Sequence, residues 1–436
     1  MEIRAWVPAL LWKGLILVVL FLIPPAAGAS PDQNFSSGPD RVRAGSMPTF
    51  KKDELLVRFK KGIGKDRQKS VHERTGGQVR RAYRMLDGLS VIKVPKGKKL
   101  EAMLSLYRGE PDVLYVQPNY VYRAQTIPND DSFSDLWGMH NTGQTGGVPD
   151  ADINAPEAWD VVTGSPDTVV AVIDSGVDYN HLDLNVNIWT NPGEVPGNGI
   201  DDDGNGYVDD IHGINAITGA GDPMDDNDHG TKVAGTIAAS GNDGRGYAGV
   251  NWRASIVACK FLNNVKEGTT GDAIECLDYL YDLKTRPVNP VNLVASNNSW
   301  GGPGFDQALQ DAIDAHRQAG ILFIAAAGND TLDNDGNSNY PANFYLPNVV
   351  SVAATDKNDN LAWFTNFGRH TVHVAAPGDN ISSTKRNNTW GNYSGTSAAA
   401  PFVTGLAALL YSQDPSRDWI ALRNLIIAGG QDKPAT

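Results

Sequence analysis

From Thr168 onward the chain repeats one pattern. A short, near-continuous apolar run is followed by a longer stretch whose apolar residues recur every three or four positions. The runs are residues 169–173, 255–262, 291–296, 321–326 and 349–354. Strands of a parallel sheet covered on both faces read this way, because neither face meets water. Helical spacing falls between them at 230–239, 271–283 and 305–318, and a further helix follows Ser397. The alternation predicts an α/β domain with a doubly wound, mostly parallel sheet and helices on both faces. Its reactive groups belong at the carboxyl ends of strands.

Upstream the pattern is different. Residues 54–59, 78–85, 89–94 and 113–116 read as strands, and 65–74 and 99–107 as helices. Strand–helix–strand–strand–helix–strand is the ferredoxin-like order, so a small α+β domain precedes the large one. Residues 30–49, rich in Pro, Ser, Gly and Asp, read as a disordered linker. Ahead of them, Arg4 and Lys13 precede the apolar run Leu15–Ile23, and Ala27-Gly28-Ala29 offers small residues for cleavage. That run is short for a membrane span and fits an export signal. The expected divisions are 1–29 signal, 30–49 linker, 50–125 small domain and 126–436 large domain. The mature protein is expected outside the cell, without a stable membrane anchor.

Charge separates the same two bodies. The chain carries a net −13, but residues 50–125 hold 18 Lys and Arg against 8 Asp and Glu, and residues 126–436 hold 15 against 39. A basic segment and an acidic one attract each other, and the acidic part is no nucleic-acid binder. Only two cysteines are present, so disulfides do not build the scaffold. Cys259 and Cys276 are either two buried thiols, the preferred reading, or one bridge.

Three stretches fall where chemistry is expected. Asp174 ends a buried run in TVVAVIDSGVD, which alone reads as a turn aspartate. His229 opens a helix in DNDHGTKVAGTIAA, where a cation-capable ring is the wrong choice for helix stability. Ser397 opens another in NYSGTSAAAPFVTG, where capping by Ser394 or Thr396, with Pro401 in the first turn, is the plain explanation. Together they match one need. A serine hydroxyl is a poor nucleophile until a base contacts it and an anion orients that base. Asn329, beyond a strand end in ILFIAAAGND, adds an amide that suits a developing oxyanion.

The motifs VIDSGVDYNHLDL, DHGTKVAGTIAA, SWGG, AAAGN and GTSAAAP together resemble the subtilisin-like serine peptidases, over about residues 130–425. The resemblance implies a secreted, monomeric endopeptidase acting on protein or peptide substrates. Ser397 would be the nucleophile, His229 the general base and then acid, Asp174 the orienting anion, and Asn329 an oxyanion donor beside the Ser397 N–H. Ser299, Trp300 and Gly301 would pair with substrate backbone. Asn339 would floor the specificity pocket, next to a cis Tyr340–Pro341 bond. Residues 50–125 would be an inhibitory propeptide, with self-cleavage after Gln125 or within two residues of it. Three departures stand out: Ala398 replaces the usual Met, Lys232 replaces a second His, and the chain is expected to lack the last helix usual in the family, stopping soon after the helix at Ser397. A catalytically silent binding protein on this fold is opposed by the four filled positions. A calcium-dependent adhesion module leaves the three motifs unexplained.

The densest acidic stretch is NGIDDDGNGYVDDIHG, residues 198–213. Asp201, Asp203 and Asn205 alternate, Gly206 permits a sharp turn, and Asp209 and Asp210 follow. This is the first half of an EF-hand loop, with His212 where the bidentate Glu should stand. Carboxylates so close repel unless a cation neutralises them, and hard oxygen ligands select Ca²⁺. The expected ligands are Asp201, Asp203, Asn205 and Asp209 or Asp210, plus the Tyr207 carbonyl. By resemblance, Asp130, Asp183 and the loop near Asn242 would share a second calcium.

Overall fold

The computed structural model describes residues 50–121, 126–302 and 304–431. The expected export signal, the linker and the cleavage bond after Gln125 lie outside these residues.

In the small domain, β1 (Phe50–Phe59), α1 (Lys65–Thr75), β2 (Gln78–Ala82), β3 (Leu89–Lys93), α2 (Leu100–Arg108) and β4 (Val113–Tyr120) follow the ferredoxin-like order. The sheet runs β2-β3-β1-β4 and is antiparallel throughout. Leu55, Val57 and Phe59 point to one face of β1 and meet Val71, Ile92, Met103 and Tyr107 in a core of their own. Within it, the His72 ring and the Tyr107 hydroxyl share a hydrogen bond of 2.8 Å, satisfying two polar groups that burial alone would penalise.

The large domain continues with α3 (Ala155–Trp159), β5 (Gly164–Asp174), β6 (Gly213–Asn215), α4 (His229–Ala238), β7 (Arg253–Lys260) and α5 (Thr270–Thr285). After these come β8 (Leu293–Asn298), α6 (Gln307–Gln318), β9 (Leu322–Ala326), β10 (Val349–Thr355) and β11 (Val374–Pro377). The hairpin β12 (Ile381–Lys385) and β13 (Thr389–Tyr393) leads into α7 (Thr396–Gln413) and α8 (Trp419–Gly429). Seven strands form a parallel sheet in the order β11-β10-β9-β8-β5-β7-β6. Sequence reading missed β6 and β11, which are too short to carry a pattern. After α7 the described chain adds α8, which buries Leu422 and Ile426.

The alternation along β5 explains the layers. Val170 and Val172 enter a core shared with α4 and α7, while Val169, Ala171 and Ile173 enter the opposite core, with α5 and α6. The chain leaves β5 towards β7 and β6, then crosses back to β8 on the other side. This reversal opens a crevice at the carboxyl ends of β5, β7 and β8.

The cysteines correct an expectation. Both are fully buried, as a thiol reading requires, but they form a disulfide with a Cα–Cα distance of 5.8 Å. The β7–α5 crossover brings the strand end and the facing helix turn within bonding reach, which composition does not reveal. The bridge closes a short loop, for which the chain-entropy account gives about 3 kcal/mol. Replacing both residues, Cys259→Ala with Cys276→Ala, is expected to lower unfolding free energy by about that amount. Equilibrium denaturation measures it, and an unchanged midpoint would show that the bridge adds no stability.

Candidate active site

Asp174 is the last residue of β5 and is fully buried. Its Oδ1 accepts the Ser175 backbone N–H at 2.7 Å and His229 Nδ1 at 2.7 Å. Among the described residues nothing partners the buried Oδ2. His229 is the first residue of α4, and its side chain is 12% exposed. With Nδ1 committed to the carboxylate, Nε2 is the nitrogen left for chemistry.

A second buried carboxylate holds that helix terminus in place. Asp225 Oδ1 accepts the Ser175 hydroxyl at 2.9 Å and the Asn227 N–H at 2.8 Å, while Oδ2 accepts the Thr231 hydroxyl at 2.6 Å and the Thr231 N–H at 3.1 Å. Ser175 Oγ in turn accepts the Gly230 N–H at 3.0 Å. The turn after β5 is thereby stapled to the first turn of α4. A Cβ at Gly230 would strike the Gly176 carbonyl, so the approach needs glycine. Lys260, at the end of β7, donates to the Ser175 carbonyl at 2.8 Å and to Asp226 at 2.7 Å.

Ser397 sits in the first turn of α7, which starts after Gly395 at φ 147° and has no side-chain cap. Ser394 donates to Asp379 instead, and Thr396 is spent on Asn329. The Thr396 N–H and hydroxyl both donate to Asn329 Oδ1, at 2.8 and 3.1 Å. With its oxygen so occupied, the Asn329 amide presents Nδ2 as its free donor. Ser397 Oγ donates to the Ser299 carbonyl at 3.1 Å, and Ser299 Oγ donates to the Ser397 carbonyl at 3.0 Å. No hydrogen bond joins Ser397 to His229 among the described residues, but both line one cleft of about 650 Å³.

Ser299, Trp300, Gly301 and Asn329 line the same cleft. Asn339 lies behind it: a Cβ added to Gly301 or Gly328 would meet its amide, and Nδ2 donates to the Ala327 carbonyl at 3.0 Å. The Tyr340–Pro341 bond is cis, as expected. Sequence reading missed Asp225 and Lys260, and gave Thr396 only a capping role. Only Lys260 left a signal, as a charge inside the apolar run 255–262.

The acidic loop divides its residues. Asp203 and Asp210 come together, and Glu194, which sequence reading missed, completes a three-carboxylate cluster. Asp201 instead closes its own loop, accepting the Gly204, Asn205 and Gly206 N–H groups. Asp209 accepts those of Gly197, Asn198 and Gly199. Asn205 Nδ2 donates to Asp210 at 3.0 Å, and the Tyr207 hydroxyl bonds Glu275. Burial pushes the Asp210 carboxyl up to about 6, although Tyr279, Asn205 and Asn191 donate to it. Arg286 lies 2.8 Å from Asp203 and offsets part of the charge. Elsewhere, Asp130 accepts the Asn242 N–H at 2.7 Å. Asp183 is fully buried, with Oδ2 bonded to the Tyr247 N–H and Trp390 Nε1 while Oδ1 has no partner among the described residues. A buried carboxylate oxygen without a donor fits a hard cation.

No helix among the described residues is long and apolar enough to cross a membrane. Residues 165–433 match the subtilase family, and residues 36–119 match the fervidolysin N-terminal prodomain. The thermophilic serine proteinase of Bacillus sp. (strain AK1) is 33% identical over 376 residues, covering 86% of this chain and 80% of that protein. Subtilisin-like protease 1 of Plasmodium falciparum (isolate 3D7) is 38% identical over 267 residues, 57% of this chain, and the match spans 38% of its own length. A solved protease structure from Pseudoalteromonas arctica superposes with a TM-score of 0.57 at 29% identity, covering 71% of this chain and 94% of that one. A cold-adapted subtilisin-like serine proteinase gives 0.50 at 29% identity, covering 66% and 89%. The chain therefore belongs to the subtilase family of serine peptidases and carries an N-terminal prodomain.

Proposed function

We propose that the chain is an exported, self-processing endopeptidase that cuts protein or peptide substrates through Ser397, with His229 and Asp174 as its acid–base pair. The observation that carries this reading is the 2.7 Å contact between His229 Nδ1 and a fully buried carboxylate. An imidazole held this way keeps its proton on Nδ1 and offers Nε2 as the base. In the reaction the Ser397 hydroxyl would exchange the Ser299 carbonyl for Nε2 as its acceptor. Loss of its proton lets Oγ attack the substrate carbonyl. The oxyanion then receives the Asn329 amide and the Ser397 N–H, whose place in the first turn of α7 leaves it without an intrahelical acceptor. His229 returns the proton to the leaving amine, and water hydrolyses the acyl-enzyme by the same steps in reverse. The basic segment 50–125 acts as the chain's own inhibitor, drawn to the acidic catalytic part by opposite charge.

Calcium has a structural place in this reading. Glu194, Asp203 and Asp210 would hold one ion, and Asp183 with Asp130 and Asn242 a second. Each ion would neutralise carboxylates that otherwise repel or stand without donors.

Ser397→Ala is expected to give a folded precursor that stays uncut. Intact mass and N-terminal sequencing check it, and continued cutting near Gln125 in a pure preparation would remove Ser397 from the reaction. Asn329→Ala should lower kcat about 10²–10³-fold with little change in KM. Steady-state kinetics decide, and a loss confined to KM would assign Asn329 to ground-state binding. EDTA should lower the melting temperature, since an ion at a hundredfold excess over its dissociation constant adds about 2.7 kcal/mol. No calcium by elemental analysis, with an unchanged melting temperature in EDTA, would end the structural-calcium reading.

A further inference from the structure

The helix that carries His229 also carries a cation that proton transfer does not use. Lys232 stands three residues further along α4, so the two side chains share one face of its first turn. It is half-buried and lines the cleft that holds His229 and Ser397. Its ammonium lies 5.8 Å from the centre of the Tyr393 ring, and no ion pair holds it among the described residues. The nearest acids are already engaged. Asp228 is bound by Arg386 at 2.9 Å and Lys385 at 3.6 Å, and Asp225 by hydroxyl and N–H donors. Lys266 and Lys385 add like charge nearby, and burial holds the Lys232 ammonium below its usual range. A partly buried cation without a counter-ion is costly, and a carboxylate arriving with a ligand would relieve that cost.

The side of the cleft follows from the reaction. His229 hands its proton to the leaving amine, so the segment after the scissile bond lies on the His229 flank. The acyl segment runs along Ser299–Gly301, with its carbonyl at Asn329. Tyr393, whose hydroxyl bonds Thr236 of α4 at 2.9 Å, closes the wall beside Lys232. The remaining net charge of the catalytic part is strongly negative and disfavours acidic substrates elsewhere.

We propose that Lys232 makes the leaving-group side of the cleft a carboxylate-recognising subsite, selecting substrates with Asp or Glu at the first or second position after the scissile bond. This rests on the reading of Ser397 and His229 given above. Quenched-fluorescence peptides with one fixed acyl segment would carry Glu, Gln or Lys at those two positions. The readout is the Glu-to-Gln ratio of kcat/KM within each enzyme, which cancels differences in active fraction. The mature protein is expected to favour Glu about fivefold at low salt, with the ratio shrinking at high salt. Lys232→Arg should keep the ratio above one, Lys232→Met should bring it to one, and Lys232→Glu should shift preference to Lys. A ratio of one in the parent, or the same ratio in parent and Lys232→Met, overturns the proposal. Should Lys232→Met not fold, the salt dependence in the parent decides, because a preference that salt leaves unchanged is not electrostatic. Cleavage of the Gln peptide, and its loss in Ser397→Ala, reports separately on the catalytic reading.

Discussion

Taking a carboxylate out of water demands donors, and among the described residues Asp174 receives them at one oxygen, from the Ser175 N–H and the His229 ring. Much of the surrounding architecture follows from that demand. The carboxylate is deep because it ends an interior strand, flanked by β8 and β7, of a sheet covered on both faces. The ring reaches it because α4 begins within contact of the β5 turn, an approach that Gly230 permits and Asp225 fixes. Lys260 stands opposite Asp174 in the β5–β7 register, yet its ammonium turns to the Ser175 carbonyl and to Asp226. It braces the turn and leaves the Asp174–His229 contact to itself. A direct ion pair with Asp174 would draw the carboxylate's charge away from the histidine ring.

The sheet was legible because burial on both faces writes itself as unbroken apolar runs, as in Val169–Ile173. The three candidate positions stood out because each opens or closes an element within two residues of a glycine. What escaped were residues whose work is to hold other residues. Asp225 meets Ser175 across 50 positions, and Thr396 meets Asn329 across 67. No local periodicity encodes a hydrogen bond of that separation. The acidic loop was legible only in part: Asp201 and Asp209 accept backbone N–H groups, and the carboxylate cluster draws on Glu194 from the preceding turn, which the EF-hand spacing does not include. The cysteines were ambiguous for a related reason: composition cannot show that a strand end and the next helix converge.

The acidic loop and the reactive crevice are physically contiguous through α5. Tyr279 donates to Asp210 at 2.6 Å, and Cys276, on the same helix, is bonded to Cys259 beside Lys260. Order in the loop and order at the β7 end therefore share one helix, clamped at both points. A rigid helix tied to a strand end positions groups better than a free surface loop does.

The acidity of the large domain also serves its loops. An α/β domain with long connections must satisfy many backbone N–H groups that no ladder reaches. Carboxylates on short side chains do this locally, without a partner element. Asp201 and Asp209 do it around residues 197–206. Asp335 does it for Arg369, His370 and Thr371, and the Thr371 hydroxyl helps hold that carboxyl below its ordinary range. Asp356 closes its turn on Asn358 and Asn360 in the same way. Much of the negative charge is thus loop structure, fixed in place by the backbone it orders. The cleft wall is the exception, because Lys232 there has a ring for a neighbour and, among the described residues, no ion pair.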